Sequence, residues 1–219
     1  MASDSQKPQI PLMEKIKSIP EVVGIRVNEE PEYEVIKKDG PFEVRSYHPQ
    51  VRASLSLQGL DFDDFRETAF KKLASYIFGQ NHLQAEVPMT APVLQEGSLG
   101  DESSVSMTAP VLQERMGQQE WKMTFVLPKK YTLATAPRPN DPDIKLELME
   151  PHQVASLRYS GNNSLETIET HAKELTRWME AHDDVHPVSD IYSAQYDAPF
   201  TLPFLKRNEV QARVKVLKS

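Results

Sequence analysis

Two segments of the chain show the apolar period of amphipathic helices. Between Asp61 and Phe78 apolar residues recur at every third or fourth position, acidic residues open the segment, and Gly79 follows it. Acids at the start and a glycine after the end are ordinary helix signals. The second segment begins at Ser164, a good N-cap residue, and ends near Asp183. The pattern therefore predicts two helices, each with one apolar face.

Most of the remaining chain alternates between apolar and polar residues, which is the period of β-strands that bury one face. The clearest example lies near the C-terminus, where Val210, Ala212, Val214 and Val216 alternate with polar residues. The stretches with strand-like patterning are 42–44, 51–58, 87–94, 105–112, 121–127, 144–149, 153–159, 190–196 and 209–217.

The order of these elements indicates two similar halves, each with strands, a helix and further strands. The first half begins near Tyr33 and the second near Trp121. A sheet of this size can curl and close with helices packed outside it. The predicted fold is α+β: a distorted, mostly antiparallel β-barrel of about 8–9 strands, flanked by two α-helices and built from two pseudo-symmetric halves.

The 219 residues have the length of one domain with a short arm. Residues 1–30 are polar and mixed, and Pro20 would interrupt a helix there, so we assign them to an N-terminal arm. Residues 31–219 form a single predicted domain. Two stretches without periodicity, 96–104 and 135–143, are rich in turn residues and are predicted to be loops.

An octapeptide occurs twice in the chain. Met89–Glu96 and Met107–Glu114 both read Met-Thr-Ala-Pro-Val-Leu-Gln-Glu. The copies are too close for repeated domains and fit two neighbouring strands joined by the loop 96–104. A proline in each copy limits its ladder pairing. The copies are either edge-like strands that pack a core or a wall that faces a ligand.

Composition and charge exclude several classes of function. The chain has no cysteine, which rules out disulfides, thiolate metal sites and a catalytic thiol. The net charge of −7 argues against nucleic-acid binding. No apolar run is long enough for a membrane span or a secretory signal, so we expect a cytoplasmic protein.

Known catalytic and metal-binding motifs are missing from the sequence. It contains no Gly-rich phosphate loop, nucleophile elbow or His-Glu-x-x-His helix. His182 and His186 have a metal-compatible spacing, but they fall at a helix end that is expected to fray. We therefore predict neither catalytic residues nor a metal site.

A set of segments occurs in a recognisable order from Tyr33 onward. The segments are Tyr33–Ile36, Phe42–Tyr47, Ala69–Asn81, both Met-Thr-Ala-Pro-Val copies, Phe125–Pro128, Tyr196–Phe200 and Arg207–Val210. Together they resemble the SOUL family of heme-binding proteins, and the doubled copy is similar to the form common in bacterial members. The resemblance implies the same barrel fold, shared with bacterial small-molecule-binding regulators. It also implies non-covalent binding of heme or a related tetrapyrrole.

The resemblance places the ligand in an apolar groove beside the first helix. Arg66 and Lys72 match the family's cations near the heme propionates, and Tyr196 matches a tyrosine that precedes small residues and a proline. A porphyrin needs both a broad apolar surface and cations for two carboxylates. The alternatives are that Arg66 and Lys72 face solvent and that Tyr196 is a core tyrosine with a hydrogen-bonded hydroxyl.

The axial position departs from the family pattern. Members that use an axial histidine carry it where this chain has Ser46, and His48 lies two residues later on the same predicted strand face. His48 is either a substitute ligand or a solvated turn residue. Met89 and Met107, from the repeated octapeptide, complete the candidate binding residues. We expect the helix cations to matter more for binding than His48.

Three functions remain open. The first is non-covalent binding of heme or another porphyrin for buffering, transport or delivery to a protein acceptor. The second is an enzyme that acts on the tetrapyrrole or a small apolar ligand, by iron removal or hydrolysis, with groove residues such as Glu43, Tyr47, His48 or Tyr196. The third is a protein interaction module that docks through the second helix. The first depends on an apolar cleft wide enough for a flat macrocycle.

Overall fold

One strongly curled sheet of ten strands forms the centre of the protein in the computed structural model, which describes residues 29–83, 93–98, 120–197 and 201–217. The strands are β1 Tyr33–Asp39, β2 Phe42–Tyr47, β3 Gln50–Gln58, β4 Val93–Ser98, β5 Glu120–Val126, β6 Lys145–Met149, β7 His152–Tyr159, β8 Val185–Pro187, β9 Tyr192–Gln195 and β10 Asn208–Val216. Neighbouring strands are antiparallel, and the sheet makes a half-barrel. The predicted α+β, barrel-like architecture is confirmed.

Two helices lie where the apolar period predicts them. Helix α1 spans Phe62–Ile77 and helix α2 spans Leu165–Glu180. The Asp61 carboxylate accepts a hydrogen bond of 2.8 Å from the N–H of Asp64, and the Ser164 hydroxyl caps α2 in the same way. Neither helix is long and apolar enough to cross a membrane, and the described residues offer no other candidate.

The strand order gives the sheet an internal two-fold pattern. The order is β1-β2-β7-β10-β9-β4-β5-β3-β6, with β8 paired to β10. The run β2-β7-β10-β9 corresponds strand for strand to the run β6-β3-β5-β4, and the two runs meet where β9 pairs with β4. Each half lends a strand to the other, because β2 pairs with β7 and β6 pairs with β3. Along the chain, the second half begins after β5, and therefore later than the predicted start near Trp121.

Each helix packs on its own half of the sheet. Phe65 and Leu73 of α1 pack against β3 and β5, whereas Leu175 and Trp178 of α2 pack against β7 and β10. The apolar face of α2 is the surface that the interaction-module hypothesis assigns to a partner. Most of that face is part of the core.

The repeated octapeptide lies largely outside the described residues. Strand β4 runs to Ser98, so the loop prediction for 96–104 is wrong at its start. Backbone pairing of residues 96–98 with β5 overrides their turn preference. Met89 and Met107, like the predicted strand 105–112, fall outside the part of the chain that the structure describes.

Candidate functional site

The face of the sheet opposite the helices carries a buried cluster of charged side chains. Along β10, Val210 and Ala212 pack in the α2 core, so Glu209 and Gln211 point to the other side. Their exposed fractions are 0% and 2%. The alternation predicts one buried face for this strand, and the structure buries both faces where the curled sheet covers them.

Glu209 is the centre of this interior charge cluster. Arg45 on β2 donates to its carboxylate at 2.6 and 3.1 Å, and Arg207 donates from Nε at 2.8 Å. Ser156 and Gln211 add hydrogen bonds of 2.9 and 2.7 Å. Burial alone would raise the pKa of Glu209, but the hydrogen bond and charge of Arg45, with the charge of Arg207, lower it to about 2. The carboxylate therefore stays ionised.

Tyr196 belongs to the same cluster. Its hydroxyl donates to Glu209 at 3.1 Å and accepts from Gln211 at 3.2 Å, and the Arg207 guanidinium lies 3.8 Å from the ring centroid. Burial, followed by the charge of Glu209, raises the pKa of Tyr196 well above its ordinary value. Tyr196 thus has the environment of a core tyrosine with a satisfied hydroxyl, the alternative given by the sequence.

A cavity of about 470 Å³ lies beside His48, just after β2. Its lining includes the apolar side chains of Val51, Leu127, Leu133 and Leu148, which we call the apolar wall. Leu133 and Leu148 are 47% and 46% exposed, so this wall reaches the surface. The volume falls in the range of about 300–1,000 Å³ that holds small organic ligands.

A short acidic segment, Glu29–Glu32, also lines the cavity, and we call it the acidic strap. The Glu32 carboxylate pairs with the Lys129 ammonium at 2.7 Å. The Glu30 carboxylate accepts from NH1 of Arg207 at 3.0 Å. The strap is therefore tied both to the cavity edge and to the interior charge cluster.

Ser46 and His48 have different surroundings. Ser46 is half-buried within β2, where its backbone pairs with Glu34 and Gln153. His48 is exposed and lines the cavity, and its backbone N–H donates to the carbonyl of Glu32 at 3.2 Å. Within the described parts of the chain, no group hydrogen-bonds to the His48 imidazole. Of the two axial candidates, the structure places His48 at the cavity.

Arg66 and Lys72 lie apart on α1. Arg66 donates from NH1 to the carbonyl of Asn163 at 3.3 Å. Lys72 pairs with Asp143 and Asp141 at 2.9 and 3.1 Å. The spacing of six residues from one cation to the other places them about 120° apart around a helix. The structure does not bring them to one face, and neither lines the cavity beside His48.

The sequence patterns did not single out Lys129 or His152 as candidate site residues. Lys129 follows Pro128 and lies three residues past the end of β5, a position after a strand end that could have drawn attention to it. His152 stacks on Tyr47 with ring centroids 5.5 Å apart, and burial lowers its pKa to about 4. No sequence signal marks that contact, because the two rings meet through the pairing of β2 with β7.

Comparisons with known proteins give a family for this chain. The family model described as SOUL heme-binding protein matches residues 28–213. Heme-binding protein 2 of Homo sapiens is 26% identical over 169 residues, which cover 77% of this chain and 75% of that protein. Heme-binding protein 1 of Xenopus laevis is 27% identical over 176 residues, which cover 80% of this chain and 84% of that protein.

A solved structure supports the fold. The C-terminal domain of EcmrR superposes with a TM-score of 0.58 at 10% sequence identity, over 84% of this chain and 99% of that one. At this level of identity the similarity concerns the arrangement of strands and helices.

Proposed function

The chain belongs to the SOUL family of heme-binding proteins, and we propose that it binds heme or a related tetrapyrrole non-covalently in the cavity beside His48. One observation carries the choice of site. The cavity has an apolar wall that reaches the surface, with a histidine and a lysine among its lining residues. Heme is a flat apolar macrocycle with two carboxylates, so these are the groups that its recognition needs.

The apolar wall suits one face of the macrocycle. Within it Val51 and Leu127 are nearly fully buried, while Leu133 and Leu148 remain half exposed. Covering exposed leucines removes apolar surface from water, which stabilises a complex by about 25 cal/mol per Å². Apolar side chains that gather at a surface cavity commonly mark a ligand site.

His48 supplies a nitrogen donor of the kind that heme iron accepts. Its imidazole makes no hydrogen bond to the described residues, so the ring can turn toward a ligand without losing an internal hydrogen bond. Ser46, at the family's axial position, lies within β2 and does not line the cavity. When heme is bound, the His48 imidazole would hold its iron.

The first helix offers a competing location. Arg66 bonds to the carbonyl of Asn163, and Gly161 in the same loop donates its N–H to the carbonyl of Pro203 at 2.9 Å. Phe204, which follows Pro203 in the chain, is 72% exposed and adds an apolar ring to this surface. Lys72, the other cation of α1, lies on another side of the helix and pairs with Asp141 and Asp143. We therefore favour the cavity and treat the helix surface as the alternative.

A binding role fits the described site better than catalysis. The enzyme alternative relies on groups such as Glu43, Tyr47, His48 and Tyr196, of which only His48 lines the cavity. Glu43 is bound to Arg45, and both tyrosines are at most 5% exposed within the interior charge cluster. These contacts hold the sheet together. We propose that the protein takes up the tetrapyrrole for buffering, transport or delivery to a protein acceptor.

Titration of the full chain with hemin tests the proposal. We expect the Soret band to shift and sharpen, and to saturate at one hemin per chain in the presence of serum albumin as a competing carrier. A featureless response without saturation would contradict the proposal. Transfer of the bound hemin to apomyoglobin, followed by absorbance, then separates fast delivery from storage.

A further inference from the structure

The acidic strap places carboxylates on two cations at the cavity. Glu32 contacts Lys129 at 2.7 Å, and Glu30 contacts Arg207 at 3.0 Å. Glu30, Glu32 and Lys129 line the cavity, and Arg207 lies directly behind Glu30 with 10% of its side chain exposed. A ligand that enters the cavity therefore meets Lys129 already paired with Glu32, and it can contact Arg207 only in the place of Glu30.

Arg207 is fixed in place independently of the strap. Its Nε and Nη2 atoms each lie 2.8 Å from a carboxylate oxygen of Glu209. Its Nη1 (NH1) donates to the two carboxylate oxygens of Glu30 at 3.0 and 3.3 Å. If Glu30 left, Glu209 would still hold the guanidinium, but NH1 would lose its carboxylate. A nearly buried charged donor without a partner is costly, so another anion is favoured in the place of Glu30.

The contact at Lys129 is easier to exchange. The Lys129 and Glu32 side chains are 72% and 58% exposed. Ion pairs at such exposed positions contribute little free energy. A carboxylate of a bound ligand can therefore replace Glu32 on Lys129 without a large loss.

We propose that the carboxylates of Glu30 and Glu32 occupy the positions that ligand carboxylates take. The ligand class is an apolar body with two carboxylates, which displaces Glu32 from Lys129 and Glu30 from Arg207. This inference rests on the proposed function and deepens it. It assigns the two propionates to Lys129 and Arg207 instead of the cations of α1.

Neutral variants of the strap in the full chain test the exchange. Glu30→Gln and Glu32→Gln each remove one competing carboxylate, and Glu34→Gln, on exposed β1 outside the strap, is the control for a change in net charge. Each protein is titrated with hemin and with hemin dimethyl ester, whose carboxylates are blocked. We expect the strap variants to bind hemin about two- to fivefold more tightly than the wild type, with no gain for the ester.

Lysine variants give the reverse test. Lys129→Gln should weaken hemin binding by about two- to fivefold and leave the ester unaffected. Lys130→Gln, next to it in the chain, is the matched control, because Lys130 lies over the Tyr131 ring and does not pair with the strap.

The outcomes separate the two proposals. The exchange is refuted if the strap variants gain nothing, if Glu34→Gln gains as much, or if the ester gains as much as hemin. If wild type and variants alike show no saturable hemin binding, the proposed function itself fails.

Discussion

Arg45 and Glu209 are 164 positions apart in the chain and share two hydrogen bonds of 2.6 and 3.1 Å. Their strands, β2 and β10, are not neighbours, and both pair with β7. The side chains therefore reach across β7 on the face opposite the helices. This contact links β2, the first-half strand that pairs with the second half, to β10, the last strand of the second half.

Loss of the arginine should destabilise the fold strongly. Arg45→Met removes one partner of a buried carboxylate, and breaking such a pair costs about 3–5 kcal/mol. Lys38→Met is the matched control, because Lys38 is 67% exposed and pairs with Glu43 at 3.0 Å. The control should lose less than about 1 kcal/mol in urea denaturation. Equal losses for the two variants would contradict the assigned role of the cluster.

His48→Ala should lower hemin affinity by about tenfold or more, because it removes the proposed iron ligand from the cavity. The absorbance bands of a histidine-ligated ferric heme should be lost with it. His186→Ala, which changes an exposed histidine on β8, should leave both affinity and spectrum unchanged. If His48→Ala bound hemin with the affinity of the wild type, His48 would not be the iron ligand and the ligand would lie elsewhere.

The double variant Arg66→Glu with Lys72→Glu compares the two locations. The sequence predicts that this variant weakens hemin binding more than His48→Ala does. The structure predicts the opposite order, because both helix cations lie outside the cavity and already have partners. Equilibrium titrations of the two variants under one set of conditions decide between the helix surface and the cavity.

Acid should destabilise the protein through His152. Burial lowers the pKa of this histidine from 6.5 to about 4, so between these values the unfolded chain takes up a proton that the folded chain does not. The free energy of unfolding should fall as the pH drops through this range. His152→Phe, which keeps a ring against Tyr47, should flatten that slope, whereas His82→Phe at an exposed position should not. Identical slopes would remove His152 as the cause.

Trp178→Ala separates a structural role from a docking role for α2. The Trp178 ring stacks on Phe42 at 5.1 Å, and its Nε1 donates to Asp39 at 2.8 Å. Its removal should cost about 3–5 kcal/mol in thermal or urea denaturation. Arg177→Ala, its exposed neighbour, should change stability by less than about 0.5 kcal/mol. If Trp178→Ala no longer captured a partner protein but kept the stability of the wild type, the interaction-module hypothesis would be restored.

The local patterns of the sequence were sufficient for the two helices. The predicted segment from Asp61 to Phe78 becomes α1 from Phe62 to Ile77, and Ser164 caps α2 as expected. Helical period, caps and strand alternation depend on residues a few positions apart, so a single sequence displays them. The two-helix, curled-sheet architecture follows from the same patterns.

Contacts between distant segments decided the rest. In the sequence, Glu209 is only a polar residue of a predicted strand. In the fold, β7 lies between β2 and β10, and Arg45 on β2 contacts Glu209 across it. The cavity likewise joins the acidic strap, the end of β2 and the segment after β5, which only folding brings together. The sequence determined which faces are apolar, whereas strand pairing determined which polar groups are buried together and where an apolar wall stays open, because register and sheet order depend on long-range packing.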